Sequence, residues 1–551
     1  MKKVLPLLIV LSLLLVGCNS SHNPTKIEGA QINLSDNKIT VDGQDITTDT
    51  TQAVYCANDI VFYLAGQDFT YGAGEKQDEH EQSEADAHTV VHITKPGKYV
   101  FSGNLSLGQI AVDLGEEAET DPDAVVTLVL NDVDITCTVA PAIIFYNVFE
   151  PFVDVTEETA TKDVDTSKAG ANVIIVDDTE NNINGSYVAK IYKTVELSED
   201  GKEVVDSKKL HKYDGAFYSK KTMNINGGDK GTGVLNIKAD NEGLDSELHL
   251  TINGGIINIT SGNDGINTNE DNISVATMNG GTLNIVCDGG TGEGDGIDSN
   301  GWLVINGGTV IAQACSTSGD AGIDSDKGIY INGGKVMATG NMLDHIAGGD
   351  QTYAVFSFAS RQKGGETYTL KNSAGKVVGE YAPTNAFTYL IVAGDELTPD
   401  GYTFWQGTVQ LSGSKTQNIG GGMPQGEMPQ MPNGEQGTPP EMPEGTERPK
   451  NPNENIPQGE RPEIPNGEVP TKPNDGTPDG EIPEAPNGEM PEAPNGERPE
   501  MPNGEMPEGM TPPDMEGGIL GGNMVPSGEA STTFTIAKGG NQFSNVSSKN
   551  Q

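Results

Sequence analysis

Ile225-Asn226-Gly227-Gly228 is the first of five copies of one short motif, an apolar residue followed by asparagine and two glycines. The others are Ile252–Gly255, Met278–Gly281, Ile305–Gly308 and Ile331–Gly334, and the intervals between the asparagines are 27, 26, 27 and 26 residues. A unit this short, with Val/Ile/Thr runs on both sides of a Gly-Gly turn, cannot close a core of its own. Each copy must bury its apolar face on its neighbours, which is the sequence signature of a solenoid.

Period-two reading separates two faces. One carries Met223/Ile225, Leu250/Ile252, Ala276/Met278, Leu303/Ile305 and Ile329/Ile331. It resumes beyond the glycines with Leu235/Ile237, Ile257/Ile259, Leu283/Ile285, Val310/Ala312 and Val336/Ala338. The opposite parity carries Asn224, Thr251, Thr277, Val304 and Tyr330. Alternation in each strand, a glycine corner and two to three strands per turn predict an all-β, right-handed parallel β-helix. No helical period competes. The stacked asparagines fit a turn ladder in which each amide bonds to the next rung.

The domain organisation reads as a signal peptide over 1–17, an N-terminal segment over 18–60, and N-terminal turns with a cap over 61–212. The repetitive core covers 213–348. A small β-module over 349–418 is separated by a Pro/Gly/Glu-rich loop, 423–522, from a closing strand and tail over 531–551. Of 32 prolines, 24 lie from Pro424 onward, so the loop cannot bury apolar area and is expected to be disordered. Thr533–Ile536 is expected to close the module.

Lys2-Lys3, an apolar run Val4–Val16 too short to span a bilayer, and Leu15-Val16-Gly17-Cys18 match a bacterial lipobox. This implies an extracytoplasmic protein whose Cys18 is lipidated and anchored in the cell membrane at the bacterial surface. The four remaining cysteines lack zinc spacing; Cys287 and Cys315 leave open a disulfide or two buried thiols. Formal net charge is −47, which argues against nucleic acid, since phosphate binding needs clustered Lys/Arg. A polyanion could be held only through cations.

A second pattern, acidic-Gly-aliphatic-Asp/Asn-Ser/Thr, recurs at Glu242–Ser246, Asp264–Thr268 and Asp295–Ser299, and with one extra residue at Asp320–Ser325. Stacking would place equivalent carboxylates about 4.8 Å apart, a repulsion of roughly 3–4 kcal/mol per pair at an effective dielectric of 20. Cations relieve that cost, and Ca²⁺ accepts such oxygens. The candidate cage is Asp298 and Asp324 with Asp295, Asp320, Asn300 and Asp326; a second joins Asp264 and Asn267 to Glu242 and Asp245. A solvated acidic face is the plainer alternative. Strict alternation gives Asp295 the parity of Ile297, so a bend is needed for it to meet Asp298.

Ile-Asn-Gly-Gly…Asp-Gly-Ile, following Gly97–Asn104 and Val125–Ile135, resembles a family of bacterial carbohydrate-binding proteins that are similar in fold to pectate lyases. The likeness covers roughly 89–340 and implies calcium and a plant polysaccharide, cellulose-like or pectic. Glu242, Asn267 and the inserted Ala321 depart from the pattern.

Sugars take planar aromatic platforms with polar rims, which makes Trp302 and Tyr330 the candidate carbohydrate contacts, with His249 in Trp302's column. Trp405 is expected in the core of the C-terminal module. A calcium-dependent lyase would need a base beside the ion; Lys327 is the candidate, with neutralisation of the acids as its plainer role. Three functions therefore compete: a calcium-dependent binder of plant-type or acidic polysaccharide, a polysaccharide lyase, and a surface adhesin or spacer.

Overall fold

The computed structural model describes residues 27–416 and 529–548; the leader with Cys18 and the Pro-rich stretch 423–522 lie outside them. The described chain is all-β, built on a 26-stranded sheet, a seven-stranded sheet and one two-stranded hairpin. Its only α-helix among these residues is Gln82–Asp86.

The motif copies pair in parallel and in register. Met223, Leu250, Ala276, Leu303 and Ile329 face one another along one ladder. Beyond the glycines, Leu235, Ile257, Leu283, Val310 and Val336 do the same. All ten are at most 4% exposed, and they form one continuous apolar core. A parallel pair offset by one residue would turn each of these chains out to water, so burial enforces the register.

The asparagines form the expected amide ladder. Asn253 donates from Nδ2 to Asn226 Oδ1 at 2.9 Å, and Asn279, Asn306 and Asn332 repeat this at 2.9, 2.9 and 2.8 Å. The second glycine of the motif is left-handed at Gly255, Gly281, Gly308 and Gly334, with φ of 94, 84, 80 and 80°. An L side chain there is strained.

Two of the four acidic segments run in strands. Glu242–Ser246 and Ile266–Thr268 are strands of the seven-stranded sheet, paired in parallel after Ile143–Asn147 and Gly215–Ser219. Phe217, Leu244 and Ile266 lie in the continuous apolar core, and Tyr218, Asp245 and Asn267 take the alternate parity.

The antiparallel hairpin Val188–Leu197/Val204–Tyr213 leaves the ladders just before them. At the other end the parallel pattern stops where Lys335–Gly340 pairs antiparallel with Phe387–Ala393. Phe534–Ile536 pairs with Asp400–Tyr402, and Phe534 joins Phe356, Phe404 and Phe543 in a second core. Trp405 is outside that core: it is half-buried, with Lys371 Nζ 5.0 Å from its ring centroid, while its neighbour Phe404 is 1% exposed. Cys287 and Cys315 are buried free thiols.

A Cβ at Gly308 would approach Gly281 O to 2.8 Å from a positive φ, whereas one at Gly319 meets nothing within 4 Å. Gly308→Ala should therefore cost about 2 kcal/mol and Gly319→Ala less than about 0.5 kcal/mol. Urea unfolding midpoints read the difference; equal midpoints would refute the turn constraint.

Candidate metal centre and polar groove

Register builds the acidic column. Tyr218 pairs with Asp245 and Asp245 with Asn267. Asp298 donates its backbone N–H to Ile266 O at 2.8 Å, and Asp324 donates to Ile297 O at 2.7 Å. Asp245, Asn267, Asp298 and Asp324 thus occupy successive copies, held outward because Leu244, Ile266, Ile297 and Ile323 fill the core at 0–2% exposure.

The tightest convergence is one the sequence reading only half found. Ligand oxygens of Asp214, Glu242 and Asp245 lie within 4.8 Å of one another, and the residues are 8%, 6% and 0% exposed. Glu242 Oε1 accepts from Asn267 Nδ2 at 3.1 Å and Asp245 Oδ1 from Asn269 Nδ2 at 2.8 Å. Lys212, at the end of the hairpin, reaches Asp214 Oδ2 at 2.6 Å. Glu242 Oε2, Asp245 Oδ2 and Asn267 Oδ1 are buried with no hydrogen-bond partner. Burial first, then the neighbouring carboxylates, push Glu242 and Asp245 well above the usual carboxylate range.

Asp214 escaped the pattern because its copy, Asp214-Gly-Ala-Phe-Tyr-Ser, has one extra residue and puts Tyr218 where the others have Asp or Asn. The Asp-Gly pair one repeat upstream of Glu242 was the available signal.

The cage expected around Asp298 and Asp324 is divided. Asp264 Oδ1 accepts from Asp295 N–H at 2.6 Å, Asp295 Oδ1 from Ala321 N–H and Asp320 Oδ2 from Gly294 N–H, both at 2.5 Å. Each of these acids spends an oxygen closing one copy onto the next. Asp320 also accepts the Ser318 hydroxyl. Gly294 has a φ of 148°, and Asp295 lies in no strand. Asn300 turns away to Asn269 O and Asp271, and Asp326 is exposed.

Asp344, which sequence spacing did not suggest, acts on both Asp298 and Asp324 and most strongly on Asp324. Burial first, then Asp264 and Asp326, lift Asp298 to about 7; burial, then Asp344 and Asp298, lift Asp324 to about 7. Asp264 rises to about 7 and Asp295 to about 9, again mainly by burial.

The aromatic candidates are not bare platforms. Lys327 Nζ sits 4.7 Å from the Trp302 ring centroid and Lys162 Nζ 5.1 Å from that of Tyr330. This cation–π contact occupies Lys327, the candidate base. His249 shares Trp302's column through Val275 but is 1% exposed. Its Nδ1 accepts from Val275 N–H at 3.0 Å, and the Phe152 ring packs on it edge-on at 4.5 Å.

Much of the outward parity is likewise covered. Thr166 donates its hydroxyl to Asn224 Oδ1 at 2.7 Å and approaches the Thr251 hydroxyl at 2.8 Å. Its segment forms one wall of a groove of about 640 Å³. The floor is the column of Asn224, Thr251 and Thr277 together with the asparagine ladder.

No curated protein matches the chain. Among solved structures, the polysaccharide lyase-like protein from C. thermocellum, studied as a gadolinium derivative, is similar at 21% identity and a TM-score of 0.31. That match covers 58% of this chain and 99% of that one. Residues 87–363, half of the chain, match the carbohydrate-binding domain-containing protein family, and the chain belongs to it.

Proposed function

We propose that this is a calcium-dependent carbohydrate-binding protein, fixed to the outer face of a bacterial membrane through lipid on Cys18. The ligand is a plant-type or acidic polysaccharide. The parallel ladders and the seven-stranded sheet are read as the faces of a right-handed parallel β-helix, which displays its outward residues in repeating columns.

One observation carries the calcium reading: three buried oxygens without partners, Glu242 Oε2, Asp245 Oδ2 and Asn267 Oδ1, beside the carboxylate of Asp214. Unpaired buried oxygens are costly, and three carboxylates face a single ammonium there. All the donors are hard oxygens, the set that Ca²⁺ takes with flexible geometry. Asp214, Glu242, Asp245 and Asn267 would hold one ion; Asp298, Asp324 and Asp344 would hold a second. An ion supplies positive charge, which lets a chain of net charge −47 accept a uronate. Lys327 lies over Trp302, which favours binding over a lyase reaction needing a free base. Trp302 follows Asp298 by four residues and would offer its ring to sugar where Lys327 gives way.

Calcium should raise the melting temperature over that in EGTA, since a ligand of the native state stabilises it by about 2.7 kcal/mol at a hundredfold excess over Kd. Glu242→Gln should melt close to wild type in EGTA, because burial already holds Glu242 protonated there, and should gain less from calcium. An identical curve with and without calcium would sink the metal claim.

In EGTA the sign of the pH dependence is fixed by the raised acids. Asp298 and Asp324 move from 3.8 unfolded to about 7 folded, so between these values the folded state binds more protons. Stability should fall as pH rises from 4 to 7. His249, lowered to about 4 by burial, pulls the other way but is one group against several. Calcium should flatten the slope; a rising melting temperature over this range in EGTA would contradict it.

Trp302→Ala should weaken retention on immobilised polygalacturonate severalfold while shifting the melting temperature little. Unchanged retention removes Trp302 from the site.

A further inference from the structure

We propose that the groove between the 162–167 segment and the asparagine ladder is the seat of a linear, uncharged polysaccharide running across the strands. This rests on the carbohydrate-binding reading and adds to it a place in the fold, which selects the neutral of the two ligand classes.

The ladder has hydrogen-bonding capacity left over. A side-chain amide has two N–H donors and an oxygen with two lone pairs. Asn253 and Asn279 each donate one N–H to the previous rung and accept one from the next. Each therefore keeps one donor and one lone pair, and both are exposed on the groove floor. The same pair is offered again at the next copy, about 4.8 Å on. A repeating surface of this kind matches a repeating ligand whose every unit carries hydroxyls able both to donate and to accept.

The setting narrows the class. The floor residues from Asn224 to Asn306 include no carboxylate and no cation. The wall's Lys162 is paired with Asp163 at 2.6 Å, and Asp165 accepts the Ser167 N–H at 3.1 Å. Neither polyanion nor polycation finds a counter-charge on that floor. A peptide strand finds no edge, because each floor strand already pairs on both sides. The floor spans five copies, from Asn172 to Asn306, roughly 19 Å at ~4.8 Å per step, which accommodates several sugar units. Tyr330 lies one copy beyond Val304 in the same column, where its ring can receive a terminal sugar if Lys162 swings off.

The test compares rungs inside and outside the groove. Asn332 belongs to the same ladder, bonded to Asn306 at 2.8 Å, but does not line the groove. Affinity electrophoresis of the full chain with a soluble neutral β-1,4-glucan should show a roughly tenfold loss for Asn253→Ala/Asn279→Ala, as expected for two lost hydrogen bonds. Asn332→Ala should bind within about twofold of wild type, although each substitution removes ladder bonds. Wild-type binding by the double variant, or an equal loss in Asn332→Ala, would overturn the proposal and leave the ladder a purely structural device. Wild type retarded by polygalacturonate but not by the neutral glucan would overturn the class and spare the carbohydrate-binding reading. Retardation by neither would remove both.

Discussion

Parallel pairing in register is the constraint on which the rest of this structure depends. Whatever one copy carries, the next carries about 4.8 Å away, so favourable side chains are multiplied and unfavourable ones are too. Apolar residues multiplied this way make the continuous core along Leu235, Ile257, Leu283, Val310 and Val336. Asparagines make a ladder in which each amide satisfies its neighbour. Carboxylates multiplied the same way make a problem in electrostatics.

The chain answers that problem in three visible ways. Asp264, Asp295 and Asp320 place an oxygen on a backbone N–H of an adjacent copy, turning repulsion into a fastening. Asn267 replaces an acid in the column and donates to Glu242. Lys212 is delivered by the hairpin to Asp214. Among the described residues, the inner oxygens of Glu242, Asp245 and Asn267 stay unpaired. Buried oxygens left unpaired in an otherwise well-bonded β-structure are the natural place to seek a cation, and the proposed function follows from them.

The outward surface divides by charge. One column is acidic, from Asp245 to Asp324; another, on a different sheet, is amide and hydroxyl, from Asn224 through Thr277. The two columns of one family scaffold thus offer distinct chemistry, carboxylate-rich on one side and neutral on the other.

The sequence by itself determined what repeats. Periodicity marked the buried parity, the Asn-Gly-Gly turns and the acidic register, since each follows from a local rule applied once per copy. The tertiary structure alone decided what the non-repeating segments do. Thr166 crosses 58 and 85 residues of chain to reach Asn224 and Thr251, and Phe152 closes over His249. Lys162 covers Tyr330, and Asp214 and Asp344 complete acidic clusters begun by others. No period announces these contacts, because they depend on where an insertion folds back, and that is set by packing against the finished ladders. Even Trp405 follows this division: its place in the C-terminal module was legible, but which of two adjacent aromatics turned inward was settled by the ring cluster around Phe404.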